Sequence, residues 1–214
     1  KRGVTVATVM NCRGSEQELP PLESYVIRGK TGIDLMPANS QLFVLERNLC
    51  SIDFREYKLR EYIDTIRAGY DFIIIDCMPQ IGTPMVNVLM ASDRIIIPTQ
   101  SEILSAQGLS ELLRHYHRIK RGGNEKLTVD GILITMDSPR TNLSAQVSDM
   151  IVDSFGENIP VFKTRIPRSI KVGEACLYQQ TICEFMPQNP AAVAYENFVK
   201  EWLEDGEKSA DHTA

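Results

Sequence analysis

The sequence predicts an α/β protein in which a mostly parallel sheet is covered by helices on both faces. Three short apolar runs, 72–75, 95–97 and 132–134, are continuous and mostly β-branched, as in strands that are buried on both sides. Segments with helical periodicity lie between them, and this alternation is typical of a parallel sheet. The chain has 214 residues, of which 43% are apolar, so it can bury one large core, and we expect a single domain over 1–204.

The first part of the chain predicts short elements separated by polar loops. Residues 4–10 fit either a strand or the first turns of a helix, and periodicity alone leaves both open. A polar loop with paired prolines is expected over 11–21, and a short strand over 32–37. Ser40 is predicted to cap the next helix, and an apolar stripe predicts another helix over 54–68.

From residue 71 onward, strands and helices alternate regularly. The predicted strands are 71–76, 94–98, 129–135 and 161–166, and the predicted helices are 83–91, 105–121, 143–155 and 190–204, with a helix-like turn over 170–178. The polar tail 205–214 is predicted to be disordered.

Composition limits the class of protein and its compartment. The formal net charge of -5 argues against attraction to nucleic acid over the whole surface, although a local basic face remains open. Five cysteines without a C-x-x-C spacing indicate reduced thiols of a cytoplasmic protein. The sequence has neither a signal peptide nor an apolar stretch long enough to span a membrane. Because residue 1 is Lys and not Met, we expect a segment of a longer protein.

Asp76 stands at the carboxyl end of the predicted strand 71–76, before a loop that contains Pro79 and Gly82. A strand-end aspartate commonly caps the following turn. The same position also suits a carboxylate that holds Mg²⁺ through water, as in many nucleotide hydrolases. The loop 78–82 favours the second interpretation, because a Pro/Gly loop allows close approach of a γ-phosphate.

The tripeptide Gly29-Lys30-Thr31 resembles the end of a phosphate-binding loop, G-x-x-x-x-G-K-[ST]. The first glycine of that motif would fall at position 24, which is Ser24. The motif must also follow a strand and open a helix, and Pro37 prevents a helix of useful length. A turn followed by a short strand is the better interpretation.

The loop 135–144 follows the predicted strand 129–135. Ligands of parallel α/β sheets bind beyond the carboxyl ends of the strands, so this loop is a candidate wall for a nucleotide base. Read alone, it is equally a strand-to-helix connection with Thr141 or Asn142 as the helix cap.

Residues 163–171 contain four cations and no acidic residue. Short basic runs are usually solvated edges. In an acidic chain, however, this segment is the place where we expect a phosphate backbone to dock.

Taken together, these segments resemble the ParA/Soj family of partition ATPases, which carry a deviant Walker motif. The similar segments are 32–39 (GIDLMPAN), 70–77 (YDFIIIDC), 91–100 (ASDRIIIPTQ), 131–136 (GILITM), 140–144 (RTNLS) and 166–171 (IPRSIK). They span nearly the whole chain in the order of the family.

The resemblance implies ATP and Mg²⁺ as ligands of the complete protein, with Asp76 as the Walker B carboxylate that holds Mg²⁺ through water. It implies that Met78, Pro79 and Gly82 belong to a switch loop that senses the γ-phosphate, although many members have proline where this chain has Met78. It also implies that a set of three residues borders the adenine pocket: Met136, Asp137 and Pro167. The basic surface that holds DNA would comprise Arg165, Arg168 and Lys171.

The resemblance further implies an ATP-dependent homodimer that binds DNA without sequence preference in the nucleoid. A ParB-like partner would stimulate hydrolysis.

The chain departs from the family at its start, because a first βαβ unit with the phosphate-binding loop and the catalytic lysines is missing from this sequence. We therefore expect no complete catalytic site, no tight ATP binding and no hydrolysis by this polypeptide alone. We also expect unpaired strand edges, which would make it marginal, rearranged or associated.

The alternative is a degenerate, non-enzymatic relative that keeps a DNA- or partner-binding surface. A MinD-like membrane ATPase is disfavoured because the segment 196–205 is acidic instead of basic. The spacing of the cysteines does not suggest an iron–sulfur relative.

Overall fold

A computed structural model describes residues 5–12, 26–29, 32–49, 52–77, 82–138 and 142–211. The chain divides into two compact units where the sequence predicts one domain. The first unit contains Lys1–Asp93 and Tyr116–Leu127, and the second contains Arg94–His115 and Thr128–Ala214. The α/β class predicted from the sequence is confirmed, since helices alternate with strands that pair in parallel.

The first unit is mainly helical. Its elements are α1 (Val6–Cys12), β1 (Ile27–Arg28), β2 (Asp34–Leu35), α2 (Gln41–Leu49), α3 (Lys58–Ile66) and α4 (Thr83–Ala91), with short 3-10 helices at Arg55–Tyr57 and Arg67–Gly69. Residues 4–10, for which the sequence left two readings open, form helix from Val6. The helices α1, α2 and α3 bury Met10, Leu45, Leu49 and Tyr62 in one core.

Helix α2 begins at Gln41, directly after Ser40, but the capping hydrogen bond comes from Asn39. The side chain of Asn39 accepts a hydrogen bond from Gln41 N at 3.0 Å, so Asn39 caps the helix in the place predicted for Ser40. Both side chains can cap a helix, and the structure selects the one that reaches the first free N–H groups.

The second unit is built on two parallel strands, β3 (Arg94–Gln100) and β4 (Thr128–Thr135). Its helices are α6 (Asn142–Phe155), α7 (Ile170–Leu177), α8 (Ile182–Phe185) and α9 (Pro190–Asp211), and α5 (Ile103–Gly122) begins here and ends in the first unit. Parallel bridges at Val161 and Pro167 continue the sheet beside β4. Leu133, Phe162, Ile166 and Phe198 pack together as a core.

Helix α9 runs to Asp211, into the segment from Asp205 for which the sequence predicts disorder. The other predicted helices of this unit match within a few residues of their observed ends.

The prediction of a buried strand over 71–76 is wrong for this structure. The segment forms no regular secondary structure, and no described strand pairs with it. Phe72 is 61% exposed and Ile74 is 91% exposed, and only Ile75 packs against the core of the first unit. A strand is held by hydrogen bonds to a neighbouring strand, which local sequence does not specify, and here the apolar side chains of 72–74 lie on the surface.

Candidate functional site

The carboxyl ends of β3 and β4 lie side by side in the second unit, with Gln100 opposite Thr135. The chain leaves β4 through Met136 and Asp137, and Asp137 forms a parallel bridge with Pro167. Asp137 N donates to Ile166 O at 2.9 Å, and Arg168 N donates to Asp137 O at 3.0 Å. The structure therefore brings together Met136, Asp137 and Pro167, which the sequence analysis grouped.

The Asp137 carboxylate is buried at this edge of the sheet, with 6% of the residue exposed. Ser101, directly after β3, donates from its hydroxyl to Asp137 Oδ1 at 3.2 Å, and Ser101 Oγ lies 3.1 Å from Ser148 Oγ of α6. The guanidinium of Arg165 lies 3.8 Å from Asp137 Oδ2. Buried carboxylates require such partners, and here they come from the residue after β3 and from the segment 163–168.

Met136 has a left-handed backbone conformation, with φ of 50°, and 52% of its surface is exposed. This conformation is uncommon for a residue other than glycine and costs on the order of 1 kcal/mol or more. Asp137, the next residue, holds the turn in place through the hydrogen bonds of its backbone N–H to Ile166 O and of its carbonyl to Arg168 N. The result is an apolar side chain presented beyond the ends of two parallel strands, where the flat face of a base can pack.

The segment 163–168 is fixed by Glu201 of α9. The two carboxylate oxygens accept from Lys163 N at 2.7 Å and from Thr164 N at 2.9 Å. Burial raises the pKa of Glu201, but the hydrogen bonds from Thr164 and Lys163 and the Lys163 charge outweigh it, so the pKa lies below its usual value. Glu201 thus stays ionised and keeps the segment in register beside β4.

The three cations that the sequence analysis assigned to DNA differ in their surroundings. Arg165 is paired with Asp137, and Lys171 Nζ lies 2.7 Å from Glu174 of the same helix. Arg168 is exposed and has no ion pair within the part of the chain that the structure describes. Two of the three charges are therefore partly neutralised by neighbouring carboxylates.

Asp76 and Gly82 belong to the first unit. Asp76 is exposed. The pKa of the neighbouring Cys77 thiol is raised, mainly by partial burial of the thiol and to a smaller extent by the negative charge of Asp76. Gly82 has an extended backbone and precedes α4, and its carbonyl accepts from Val86 N at 3.1 Å. Met78 and Pro79 lie outside the described residues.

Three polar residues of the site were missed in the sequence: Ser101, Ser148 and Glu201. Ser101 lies three residues after the end of the predicted strand 94–98, which is a usable signal. Ser148 lies within α6 and is fully buried, and nothing in the local pattern distinguishes it from a surface serine.

Two negative findings apply to the described residues alone. None of their helices is long and apolar enough to cross a membrane. No three His, Cys, Asp or Glu side chains among them converge as metal ligands.

Comparisons with known proteins fit this architecture. Residues 7–129, more than half of the chain, match the family model described as an AAA domain. The sporulation initiation inhibitor protein Soj of Bacillus subtilis (strain 168) is 35% identical over 174 residues, which are 81% of this chain and 68% of Soj. The chromosome partitioning protein ParA of Caulobacter vibrioides is 30% identical over 186 residues, which are 86% of this chain and 69% of that ParA.

The fold is also similar to a crystal structure of cobyrinic acid a,c-diamide synthase from Mycobacterium smegmatis with bound ADP and magnesium. The TM-score is 0.78 at 27% sequence identity, and the match covers 96% of this chain and 74% of that one. The sequence matches carry the assignment. The chain belongs to the ParA/Soj family of P-loop ATPases.

Proposed function

We propose that this chain is part of a ParA-type partition ATPase, in which ATP-dependent dimerisation drives non-specific binding to DNA. The proposal is supported by the similarity to Soj and to a chromosome partitioning ParA over most of the chain. A ParB-like partner would stimulate hydrolysis, and the complete protein would work in the cytoplasm on the nucleoid.

The observation that carries the proposal is the grouping of Met136, Asp137 and Pro167 at the carboxyl ends of parallel strands. This is the edge at which α/β sheets bind their ligands. In the proposed arrangement, the exposed Met136 side chain packs against the adenine, and buried Asp137 holds the turn that presents it.

The residues present fit the base of a nucleotide better than its phosphates. Asp76 would hold Mg²⁺ through water, and Met78, Pro79 and Gly82 would border the γ-phosphate. The sequence, however, contains no G-x-x-x-x-G-K-[ST] motif to cradle phosphates. Phosphoryl transfer depends on that cradle, so we propose that a polypeptide of these 214 residues neither hydrolyses ATP nor binds it tightly.

A matched pair of proteins tests this function. One is the 214-residue polypeptide, and the other is the same chain preceded by the in-frame coding sequence upstream of Lys1. We expect a fluorescent ATP analogue to bind tightly, and ATP to be hydrolysed, only with the longer protein. Replacing Asp76 with Asn should abolish hydrolysis there. ATP turnover by the 214-residue polypeptide that depends on Asp76 would contradict the proposal.

A second candidate is a non-enzymatic relative that retains a DNA- or partner-binding surface. The upstream reading frame distinguishes the two. A lysine-rich phosphate-binding loop in frame favours the ATPase, and an upstream sequence without one favours the binding module.

A further inference from the structure

A hollow on the surface of the first unit is not part of the site described above. It has a volume of about 390 Å³ and is lined by Phe54, Tyr57, Arg60, Glu61 and Asp64. These residues come from the start of the 3-10 helix before α3 and from α3 itself, and their spacing places them along one face of that continuous helical segment. We call these five residues the Phe54 face.

Phe54 supplies an exposed aromatic ring at one end of this face. The residue is 73% exposed, and its backbone is left-handed, with φ of 55°. Its carbonyl accepts from Tyr57 N at 3.0 Å, so the 3-10 turn holds this conformation. The left-handed region favours glycine, and a bulky aromatic residue is rare there. The ring contributes little to the packing of its own unit, and it is accessible to a ligand.

Two side-chain donors beside the ring lack partners. Within the part of the chain that the structure describes, neither the Tyr57 hydroxyl nor the Arg60 guanidinium forms a hydrogen bond or an ion pair. Both groups line the same hollow as the Phe54 ring. A hydroxyl and a guanidinium can donate together to the two oxygens of one carboxylate.

The two acids of the Phe54 face are already paired with cations. Glu61 Oε2 lies 3.2 Å from Lys58 Nζ, and Asp64 Oδ1 lies 3.7 Å from Arg67 Nε. Arg60 is therefore the charge on this face that lacks a counter-ion, and the face is complementary to an anion. The neighbouring carboxylates also limit the charge of that anion, because they repel a phosphate dianion more strongly than a single carboxylate.

We propose that the Phe54 face binds a helical segment of a partner protein, with an aliphatic side chain on the Phe54 ring and a carboxylate on Arg60 and Tyr57. An apolar anchor beside a charge-assisted hydrogen bond is the combination that interface centres use. Tyr57 and Arg60 lie roughly 6 and 10 Å from Phe54 along the helix axis, a span that two side chains one turn apart on a partner helix can reach. This surface goes beyond the proposed function, because it uses none of the residues assigned to nucleotide or DNA.

The test measures binding of two fluorescent helical peptides of about 15 residues to the 214-residue protein by anisotropy. Both peptides contain leucine, followed one helical turn later by glutamate in one peptide and by glutamine in the other. We expect the wild-type protein to bind the glutamate peptide at least about tenfold more tightly, since hydrogen bonds to charged groups are the strong ones. R60Q should abolish this preference, and F54G should weaken binding of both peptides at least about threefold.

A control variant and a third peptide make the result specific. I33A/R47Q removes an exposed apolar side chain and an exposed arginine elsewhere in the first unit, and we expect a change below about twofold. A peptide with phosphoserine in place of the glutamate should bind less tightly than the glutamate peptide, because Glu61 and Asp64 repel its second charge. Urea unfolding checks that each variant is folded. F54G should unfold at the same or a higher urea concentration than the wild type, since glycine accepts the left-handed conformation.

Four results would overturn the proposal. The first is equal affinity of the wild-type protein for the glutamate and glutamine peptides, or binding of neither. The second is a preference for glutamate that persists in R60Q. The third is tighter binding of the phosphoserine peptide, which would indicate a phosphorylated ligand instead of a carboxylate. The fourth is unfolding of F54G at a lower urea concentration than the wild type, which would make the Phe54 ring part of the fold.

Discussion

The carboxylate of Asp130 connects side chains that are distant in sequence. It accepts from Arg94 Nε at 2.7 Å and from Trp202 Nε1 at 2.6 Å, and only 5% of its side chain is exposed. The Arg94 guanidinium also lies 5.4 Å from the centre of the Trp202 ring. One carboxylate thus ties β3, β4 and α9 together at the amino-terminal ends of the strands.

We expect the substitution Asp130→Asn to destabilise the protein by about 2–3 kcal/mol, because it leaves the Arg94 charge without its buried partner. Urea unfolding measures the loss. The matched control is Asp93→Asn, since Asp93 also pairs with an arginine, Arg67, at 3.0 Å but has 74% of its side chain exposed. That change should cost less than about 1 kcal/mol. Equal losses in the two variants would mean that burial is not what gives the Asp130 pair its strength.

Among the elements, α4 ends against a side chain from the turn after α5. The buried Asn124 Nδ2 donates to Leu89 O at 2.9 Å and to Ser92 O at 2.7 Å. These carbonyls have no partner within the helix, so Asn124 satisfies the end of α4 from a distant part of the chain.

Removing this cap should destabilise the first unit, and the size of the loss should depend on charge. Asn124→Ala removes the donor and is expected to cost about 1–2 kcal/mol. Asn124→Asp should cost more, because it places a negative charge against carbonyls at the negative end of a helix. Urea unfolding gives both values, and Asn197→Asp on the exposed surface of α9 should change stability by less than about 0.5 kcal/mol. If the Asp variant at 124 were no less stable than the Ala variant, the side chain would not be acting as a donor.

The helices were largely predictable because helix formation follows local periodicity and local caps. The prediction for α4, 83–91, matches its observed bounds. The grouping of Met136 with Pro167 was also predictable, since the carboxyl ends of parallel strands meet at one edge. The outcome at 71–76, where the predicted strand does not form, could not be predicted, because a strand depends on a partner that can lie anywhere in the sequence. Ser148 and Glu201 were missed for a similar reason, as their roles arise from contacts across many residues.

At the scale of the whole molecule, the run 72–75 exposes apolar side chains. Ile74 is 91% exposed and Phe72 is 61% exposed. An exposed apolar run that is rich in β-branched residues favours association with another chain. Leu177 on α7 is similarly exposed, at 82%, but it lies in a helix whose backbone groups are bonded internally.

We therefore expect the 214-residue polypeptide to self-associate reversibly through residues 72–75. The double substitution Phe72→Lys and Ile74→Lys should weaken association at least about tenfold, because it removes exposed apolar area and adds like charges to the contact. Analytical ultracentrifugation over a range of concentrations measures the dissociation constant. Leu177→Lys is the matched control, and it should leave the constant nearly unchanged, since Leu177 is a single exposed side chain on a helix whose backbone groups are bonded internally. A larger effect from Leu177→Lys than from the double variant would place the contact on α7. A chain that stays monomeric at every concentration would show that residues 72–75 do not mediate association between copies.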